Sequence, residues 1–103
     1  FHYTGEHQSS GHLYITRVPG IHLEQRQEIV VKMAEAGIAT NVHYKPLPMM
    51  TAYKNLGFDI KDYPRAYERY ENEITLPLHT KLTDEDVEYV VMEYGKILKS
   101  YLV

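Results

Sequence analysis

The sequence predicts an α+β domain in which a small, mostly antiparallel sheet of three to four strands has helices packed on one face. Three observations predict this class. Short segments rich in β-branched and aromatic residues, at 12–18, 38–43 and 74–78, alternate with segments of helical periodicity. The chain has 103 residues, which is enough for one domain. Hydrophobic residues make up 44% of the chain and charged residues 24%, as in globular rather than disordered proteins.

The first predicted strand and helix have clear ends in the sequence. Residues 12–18 (HLYITRV) predict a strand that ends at Pro19 and Gly20. Residues 23–36 predict an amphipathic helix, which Gly37 ends. One face of this helix consists of Leu23, Arg26, Val30, Met33 and Ala34, with Ile29 beside them. A second strand is predicted over residues 38–43.

Prolines organise the middle of the chain. Residues 44–47 are predicted to be extended, because Pro46 and Pro48 disfavour helix in the residues that precede them. A short helix is predicted over residues 49–56 and a loop over residues 58–63. Pro64 suits the first turn of a helix that runs to residue 72. The third predicted strand, residues 74–78, contains Pro77 and is therefore an edge strand or the end of one.

The last predicted helix begins at a capping signal. The sequence TDED at 83–86 resembles a capping box, in which side chains bond the free N–H groups of a helix start. The apolar residues that follow have helical spacing: Val87, Val90, Val91, Tyr94, Ile97 and Leu98. The predicted order of elements is therefore β-α-β-α-α-β-α.

Composition and charge argue against several classes of protein. The formal net charge is −3 and the Lys and Arg residues are scattered, which argues against a nucleic-acid partner. The longest apolar run covers residues 89–92, far short of a membrane span. The lack of Cys excludes a disulfide scaffold and thiolate metal sites, and it is consistent with a cytoplasmic protein. The spacing of His2, His7 and His12 suits neither a helix face nor an alternating strand, so no metal site is expected.

Residues 43–45 form the candidate binding segment, because a predicted strand ends there and a proline follows. His43 can exchange a proton near neutral pH. Tyr44 can stack on a sugar or a base, and Lys45 can contact a phosphate as a point charge. The alternative is a histidine at a strand end that bonds the backbone, beside a surface Tyr and Lys.

No group that could carry a reaction is evident in the sequence. The acidic residues at 68, 71 and 73 lie among arginines at 65 and 69, which predicts a solvated helix face. Serine-nucleophile motifs and glycine loops that bind phosphate are absent. Each lysine lies in a polar surface pattern. The sequence thus offers binding groups without a catalytic one.

Several segments together resemble one protein family. They are HLYITRV at 12–18, GIATNVHYKPL at 37–47, an LG followed by YP at 63–64, and EITLPLHTKLTDEDVEYVV at 73–91. Their order and spacing, over about 90 of the 103 residues, are similar to those of the C-terminal domain of the nucleotide-sugar aminotransferases. These are the DegT/StrS group of pyridoxal-phosphate (PLP) enzymes.

The resemblance implies a fold-type I enzyme, typically a homodimer, that moves an amino group, usually from glutamate, to a keto sugar attached to a nucleoside diphosphate. In that family a large N-terminal domain carries the Schiff-base lysine and holds PLP. The resemblance therefore implies that residues 12–103 are the small domain and residues 1–11 a linker from a missing N-terminal domain. Phe1, where a start methionine would stand, is consistent with this. The segment alone is expected to bind no cofactor and to be inactive.

The resemblance also implies the substrate-binding residues. The segment that corresponds to His43 and Tyr44 lies near the sugar-nucleotide site of the family. These two residues, together with Lys45 and His12, are predicted to contact sugar hydroxyls or the diphosphate rather than to transfer protons. The family often has a second histidine where Pro48 stands here, so no contact is carried over to that position.

Two other functions remain open from the sequence. One is a free-standing α+β module whose ten tyrosines form a protein interface. The other is the small domain of a relative that keeps the PLP-enzyme fold but acts as a sugar dehydratase or a regulator. If the segment belongs to an aminotransferase or to such a relative, removal of the large domain exposes an apolar face, which the tyrosines and the pair Met49-Met50 suggest. The segment alone is therefore expected to self-associate or to aggregate.

Overall fold

The computed structural model describes residues 3–102, which contain two β-strands and four α-helices. Strand β1 (Tyr14–Arg17) pairs antiparallel with β2 (Glu73–Leu76). In the register of this pair, Ile15 lies opposite Thr75 and Thr16 lies opposite Ile74. The predicted α+β class is confirmed, but the sheet has two strands instead of the three or four predicted.

The predicted strand over residues 38–43 is wrong, because only one of its residues pairs with β2. Asn41 exchanges both backbone hydrogen bonds with Thr75, which makes a single antiparallel bridge. In the register of that bridge, residues 39 and 43 would pair with Pro77 and Glu73. Pro77 has no N–H to donate, and the N–H of His43 donates to the side chain of Glu73 instead of its carbonyl.

The helices largely follow the predicted positions. One 3₁₀ turn, Leu47–Met49, joins the segments predicted as extended chain and short helix. A second, Ile60–Asp62, lies within the predicted loop. The four α-helices are α1 (Leu23–Glu35), α2 (Thr51–Asn55), α3 (Pro64–Glu71) and α4 (Asp84–Leu98). Within residues 3–102, no helix is both long enough and apolar enough to cross a membrane.

Local signals determine where α1 and α4 end or begin. Helix α1 ends before Gly37, whose φ of +79° is a left-handed conformation that glycine adopts without strain. At the start of α4, the Thr83 hydroxyl accepts from the N–H of Asp86 at 3.1 Å, and the Asp86 carboxylate accepts from the N–H of Thr83 at 2.9 Å. The predicted capping box is therefore confirmed. The hydrogen bond from the Thr83 backbone lowers the pKa of the Asp86 carboxyl, and the Thr83 side chain acts in the same direction.

The core lies between the sheet and the two long helices. Its buried apolar residues are Val18, Ile21, Ile29, Met33, Ile38, Ile74, Leu76 and Tyr94. Helix α1 buries Arg26, Ile29 and Met33, in agreement with its predicted face, although Ala34 of that face is exposed. Of the predicted stripe of α4, Tyr94 is buried, whereas Val87 and Val91 lie on the surface, 48% and 61% exposed. Part of that stripe is therefore left half exposed.

Tyr94→Phe is expected to lower the free energy of unfolding by about 1–2 kcal/mol, because the Tyr94 hydroxyl completes a partly buried hydrogen-bond chain. Thr16 donates its hydroxyl proton to the carbonyl of Ile74 at 2.7 Å, so it accepts from the Tyr94 hydroxyl, also at 2.7 Å. Chemical denaturation followed by circular dichroism measures the change. Tyr53→Phe, at an exposed ring, is the control and should change stability by less than about 0.5 kcal/mol.

The same prediction has a pH dependence of defined sign. Burial raises the pKa of Tyr94 above the ordinary 10.0 and outweighs the hydrogen bond with Thr16, which acts in the opposite direction, while the charge of Glu73 adds to the rise. The stabilisation that the neutral phenol provides is therefore present below pH 10.0 and is lost as the pH rises through the raised pKa. The stability difference between the wild type and Tyr94→Phe should shrink under those alkaline conditions. A difference that stays constant would contradict this explanation.

Candidate functional site

The candidate site lies where residues 41–44 meet strand β2. Asn41 and Thr75 exchange two backbone hydrogen bonds, with N-to-O distances of 3.1 and 2.8 Å. Two residues later, the backbone N–H of His43 donates to Oε2 of Glu73 at 2.9 Å. Because side chains alternate along a strand, Glu73 and Thr75 lie on the same face of β2. Both side chains therefore meet the segment that carries His43.

The ring of His43 is anchored by a chain of side chains. Its Nδ1 lies 2.9 Å from the Thr75 hydroxyl oxygen, and this hydroxyl donates to Oε1 of Glu73 at 2.5 Å. Glu73 and Thr75 are both 5% exposed, whereas His43 is half-buried. One buried carboxylate thus holds both the backbone and, through Thr75, the ring of His43. The ring bonds a side chain here rather than the backbone.

The position of Glu73 corrects the prediction that the acidic residues of this region form a solvated helix face. Helix α3 ends at Glu71, and Glu73 is the first residue of β2. The carboxylate of Glu73 is buried, and its burial is compensated by the two hydrogen bonds that it accepts. Glu68 does lie on the surface, where it pairs loosely with Arg17 at 4.0 Å.

His43 lies between two open clefts. The first has a volume of about 260 Å³ and is lined by His12, Leu13, Ala39, Thr40, Asn41, His43, Thr75, Leu76, Pro77 and Leu78. The second has a volume of about 340 Å³ and is lined by Ile15, Arg17, His43, Tyr44, Pro46, Ala66, Arg69, Tyr70 and Glu73. Because His43 lines both, a ligand in either cleft lies against this residue.

The structure brings three of the four predicted binding residues to these clefts. His12 and His43 line the first cleft. Tyr44 and His43 line the second, where their ring centroids are 4.6 Å apart and the rings are nearly perpendicular, at 85°. Lys45 is exposed and lines neither cleft. The peptide bond between His43 and Tyr44 is cis.

Several cleft residues were not predicted as site residues, among them Arg17, Arg69, Tyr70 and Thr75. The Nε of Arg17 donates to the side chain of Asn72 at 3.1 Å, which holds this guanidinium at the rim of the second cleft. Thr75 had a signal in the sequence, because polar residues at 73 and 75 alternate with apolar ones within a strand. Arg69 and Tyr70 had none, since α3 reaches the cleft only through the tertiary fold.

The residues of this chain do not fit a PLP site, which needs a lysine inside a pocket to form the Schiff base. Every lysine is exposed, and none lines either cleft. Lys32 donates to the Tyr101 hydroxyl at 2.7 Å, and Lys96 pairs with Glu93 at 2.8 Å. Among residues 3–102, no three His, Asp or Glu side chains are grouped so as to hold a metal. His2, considered above as a metal ligand, lies outside the described residues.

Comparison with known proteins gives consistent results. The chain resembles solved structures of the "putative sugar aminotransferase Spr1654" of Streptococcus pneumoniae. Its PLP-form superposes with a TM-score of 0.94 and 57% identity, over 100% of this chain and 26% of that one. The UDP-4-amino-4,6-dideoxy-N-acetyl-beta-L-altrosamine transaminase of Campylobacter jejuni is 34% identical, over 81% of this chain and 22% of its own length. A "pleiotropic regulatory protein" of Geobacillus stearothermophilus is 29% identical, over 87% of this chain and 23% of its own length.

The chain therefore spans about a quarter of the length of the relatives that it matches. The family model of the DegT/DnrJ/EryC1/StrS aminotransferases matches residues 1–94. This match includes the segment of His43 and Tyr44 and the whole of strand β2. The resemblance noted in the sequence is confirmed: the chain belongs to the DegT/DnrJ/EryC1/StrS aminotransferase family.

Proposed function

We propose that this chain is the small C-terminal domain of a PLP-dependent aminotransferase, which transfers an amino group from glutamate to a keto sugar linked to a nucleoside diphosphate. Residues 12–103 form the domain, and residues 1–11 connect it to a PLP-binding domain. The observation that carries the proposal is the anchored ring of His43 between two clefts, in a chain of an aminotransferase family. The name of the Campylobacter jejuni relative, a transaminase of a UDP-linked sugar, supports the substrate class.

In this proposal the chain binds and orients the sugar nucleotide. His43 and Tyr44 contact the substrate from the second cleft, and His12 does so from the first. Lys45, which is exposed beside them, is placed for an outer contact with a phosphate. The guanidinium groups of Arg17 and Arg69, at the second cleft, have the charge and geometry that a diphosphate prefers.

The PLP-binding domain supplies the cofactor in this proposal, because no lysine of this chain reaches a cleft next to His43. The isolated chain is therefore expected to be inactive. Mixed with PLP, it should show no stoichiometric absorption band that disappears when one lysine is replaced. Such a band would contradict the assignment of the cofactor to another domain.

Exposed apolar surface supports packing against a larger protein. A groove of about 440 Å³ is lined by Pro46, Leu47, Pro48, Tyr53, Phe58, Tyr63 and Ala66. Within it, Leu47 is 52% exposed and Phe58 is 44% exposed, which is unusual for side chains that share one apolar patch. We propose the PLP-binding domain and a second copy of the enzyme as the partners of this surface, in a cytoplasmic homo-oligomer.

A hybrid enzyme tests the proposed function. In it, this chain replaces the matching segment of the Streptococcus pneumoniae protein, with which it shares 57% identity. The hybrid is expected to release 2-oxoglutarate from glutamate in a single turnover and to aminate nucleotide-linked keto sugars over many turnovers. His43→Ala should raise KM for the keto sugar about tenfold, the equivalent of one hydrogen bond to the ligand. The single-turnover reaction with glutamate should keep its rate, because His43 does not contact glutamate in this proposal.

The matched control is His7→Ala, at an exposed histidine that lines neither cleft, and it should leave both reactions unchanged. Thermal unfolding of each variant separates binding from folding. If His43→Ala slowed both reactions and lowered the unfolding temperature in proportion, the residue would have a structural role instead.

A regulatory relative of the family is a second candidate, supported by the similarity to the protein of Geobacillus stearothermophilus. In this second candidate the small domain is kept, and the Schiff-base lysine of the domain that would hold PLP is replaced. The reading frame upstream of Phe1 discriminates between the two. A Schiff-base lysine encoded there supports the transaminase, and its replacement supports the regulator.

A further inference from the structure

We propose that Glu73 and Thr75 are positioning residues that hold neutral His43 in its Nδ1–H tautomer. Nε2 then offers a lone pair to a hydroxyl group of the ligand. The identity of the ligand rests on the proposed function, because the hydroxyl groups are those of the sugar. The tautomer itself follows from contacts within this chain, so it can be tested independently.

The direction of the protons follows from the donors available. An ionised carboxylate carries no proton, so Glu73 can only accept from Thr75. The hydroxyl of Thr75 has a single proton, which this bond uses. Its oxygen can therefore only accept from the ring of His43, across 2.9 Å. Nδ1 must carry a proton to make this bond, and in the neutral ring Nε2 then carries none.

The orientation of the ring is determined by the same carboxylate. The second oxygen of Glu73 accepts the backbone N–H of His43 at 2.9 Å. Thr75 is held in the sheet by its backbone bonds to Asn41. With Glu73 and Thr75 each only 5% exposed, water competes little for these hydrogen bonds. His43 is therefore held at its backbone N–H and at ring atom Nδ1, which leaves Nε2 for a ligand.

Nε2 of His43 is available to a ligand. Within residues 3–102 it has no hydrogen-bond partner, and it is not among the fully enclosed polar atoms that lack one. His43 is a lining residue of both clefts. A neutral ring with the proton on Nδ1 is a pure acceptor on its ligand side, so it accepts from hydroxyl groups and repels the acceptor oxygens of a phosphate. In the same cleft, Arg17 and Arg69 are donors suited to phosphate. We therefore assign the sugar to His43 and the diphosphate to the arginines.

The tautomer is measured by ¹⁵N NMR of the histidine rings in this chain, at mildly alkaline pH. The wild type should show His43 protonated at Nδ1. Thr75→Val, which keeps the shape but removes the hydroxyl, should shift the ring toward the Nε2–H tautomer. Thr75→Ser should restore Nδ1–H. The matched control is Thr40→Val in the first cleft, whose buried hydroxyl has no partner within the described residues and should not affect the tautomer.

An Nε2–H ring in the wild type would overturn the proposal, as would a Thr75→Val spectrum that matches the wild type. Should Thr75→Val not fold, the wild-type spectrum and Thr75→Ser decide by themselves. A general structural role of Thr75 would not produce this pattern, because loss of packing does not select one ring nitrogen for protonation.

The ligand class is tested in the hybrid enzyme. Thr75→Val should raise KM for the keto-sugar nucleotide about 2- to 10-fold, the range for one neutral hydrogen bond. The inhibition constant of UDP, which lacks the keto sugar, should not change. An equal rise in both constants would place His43 on the diphosphate and overturn the assignment. A hybrid that never aminates a sugar would refute the proposed function, while the NMR result on the tautomer would stand.

Discussion

Ile74→Ala is expected to lower the free energy of unfolding by about 3–4 kcal/mol, a large part of the 5–15 kcal/mol typical of a domain. Ile74 is 0% exposed and belongs to the core beside Ile29 and Met33. Its backbone is held by its partner in the sheet, so the site cannot collapse to fill the space that the side chain leaves. The cost therefore includes a cavity as well as the lost burial.

Ile15→Ala is the matched control for this prediction. It removes the same atoms from the paired strand, so the change in strand propensity is similar in both variants. Ile15 is 45% exposed, and its loss should cost about 1 kcal/mol or less. Chemical denaturation of the two variants gives the difference. Similar losses in both would mean that Ile74 is not in a tightly packed core.

Arg26→Met is expected to raise the free energy of unfolding by about 1–3 kcal/mol. The guanidinium of Arg26 is buried, at 1% exposure, and its Nε and Nη1 have no hydrogen-bond partner among the described residues. The contact that compensates its burial is with the ring of Tyr70, 4.7 Å from the guanidinium carbon. Such a contact contributes about 1–2 kcal/mol, less than a buried charge without hydrogen bonds costs. Met fills similar space without polar atoms.

Arg26→Ala separates the cost of the charge from the packing of the side chain. It removes both, so we expect a loss of about 2–4 kcal/mol from the cavity beneath helix α1. In the same denaturation experiment, Arg26→Met should be more stable than the wild type and Arg26→Ala less stable. A loss of stability in Arg26→Met would show instead that the guanidinium has a bonding partner, such as a water molecule or an anion, that outweighs the cost of its burial.

The sequence predicted the helices well and the sheet only in part. Capping bonds at Thr83 and Asp86 join residues three apart, so they can be recognised from the local sequence. Proline at 77, which lacks an N–H, correctly indicated the end of a strand, since β2 ends at Leu76. The strand expected at 38–43 failed because its pairing with β2 stops on both sides of Asn41: Pro77 has no N–H, and the N–H of His43 bonds the Glu73 side chain. Neither loss is visible before the register of the two segments is known.

The candidate site was predicted to a similar extent. The family motif singled out His43 and Tyr44, and both line the second cleft. Glu73 was misplaced on a helix surface, because charge pattern alone cannot distinguish a solvated carboxylate from a buried one that accepts two hydrogen bonds. Its burial becomes favourable only once those donors are in place.

Sequence alone is enough to predict the fold class, the starts of α1, α3 and α4, the family, and the segment that carries His43. These features depend on spacing and on bonds between residues a few positions apart. The tertiary structure alone decided that Glu73 and Thr75 anchor His43 from about 30 residues further along the chain. It also decided that Arg69 and Tyr70 share its cleft. Hydrogen bonds over that separation form only after Asn41 has paired with Thr75 of β2. No local periodicity of the sequence predicts that pairing.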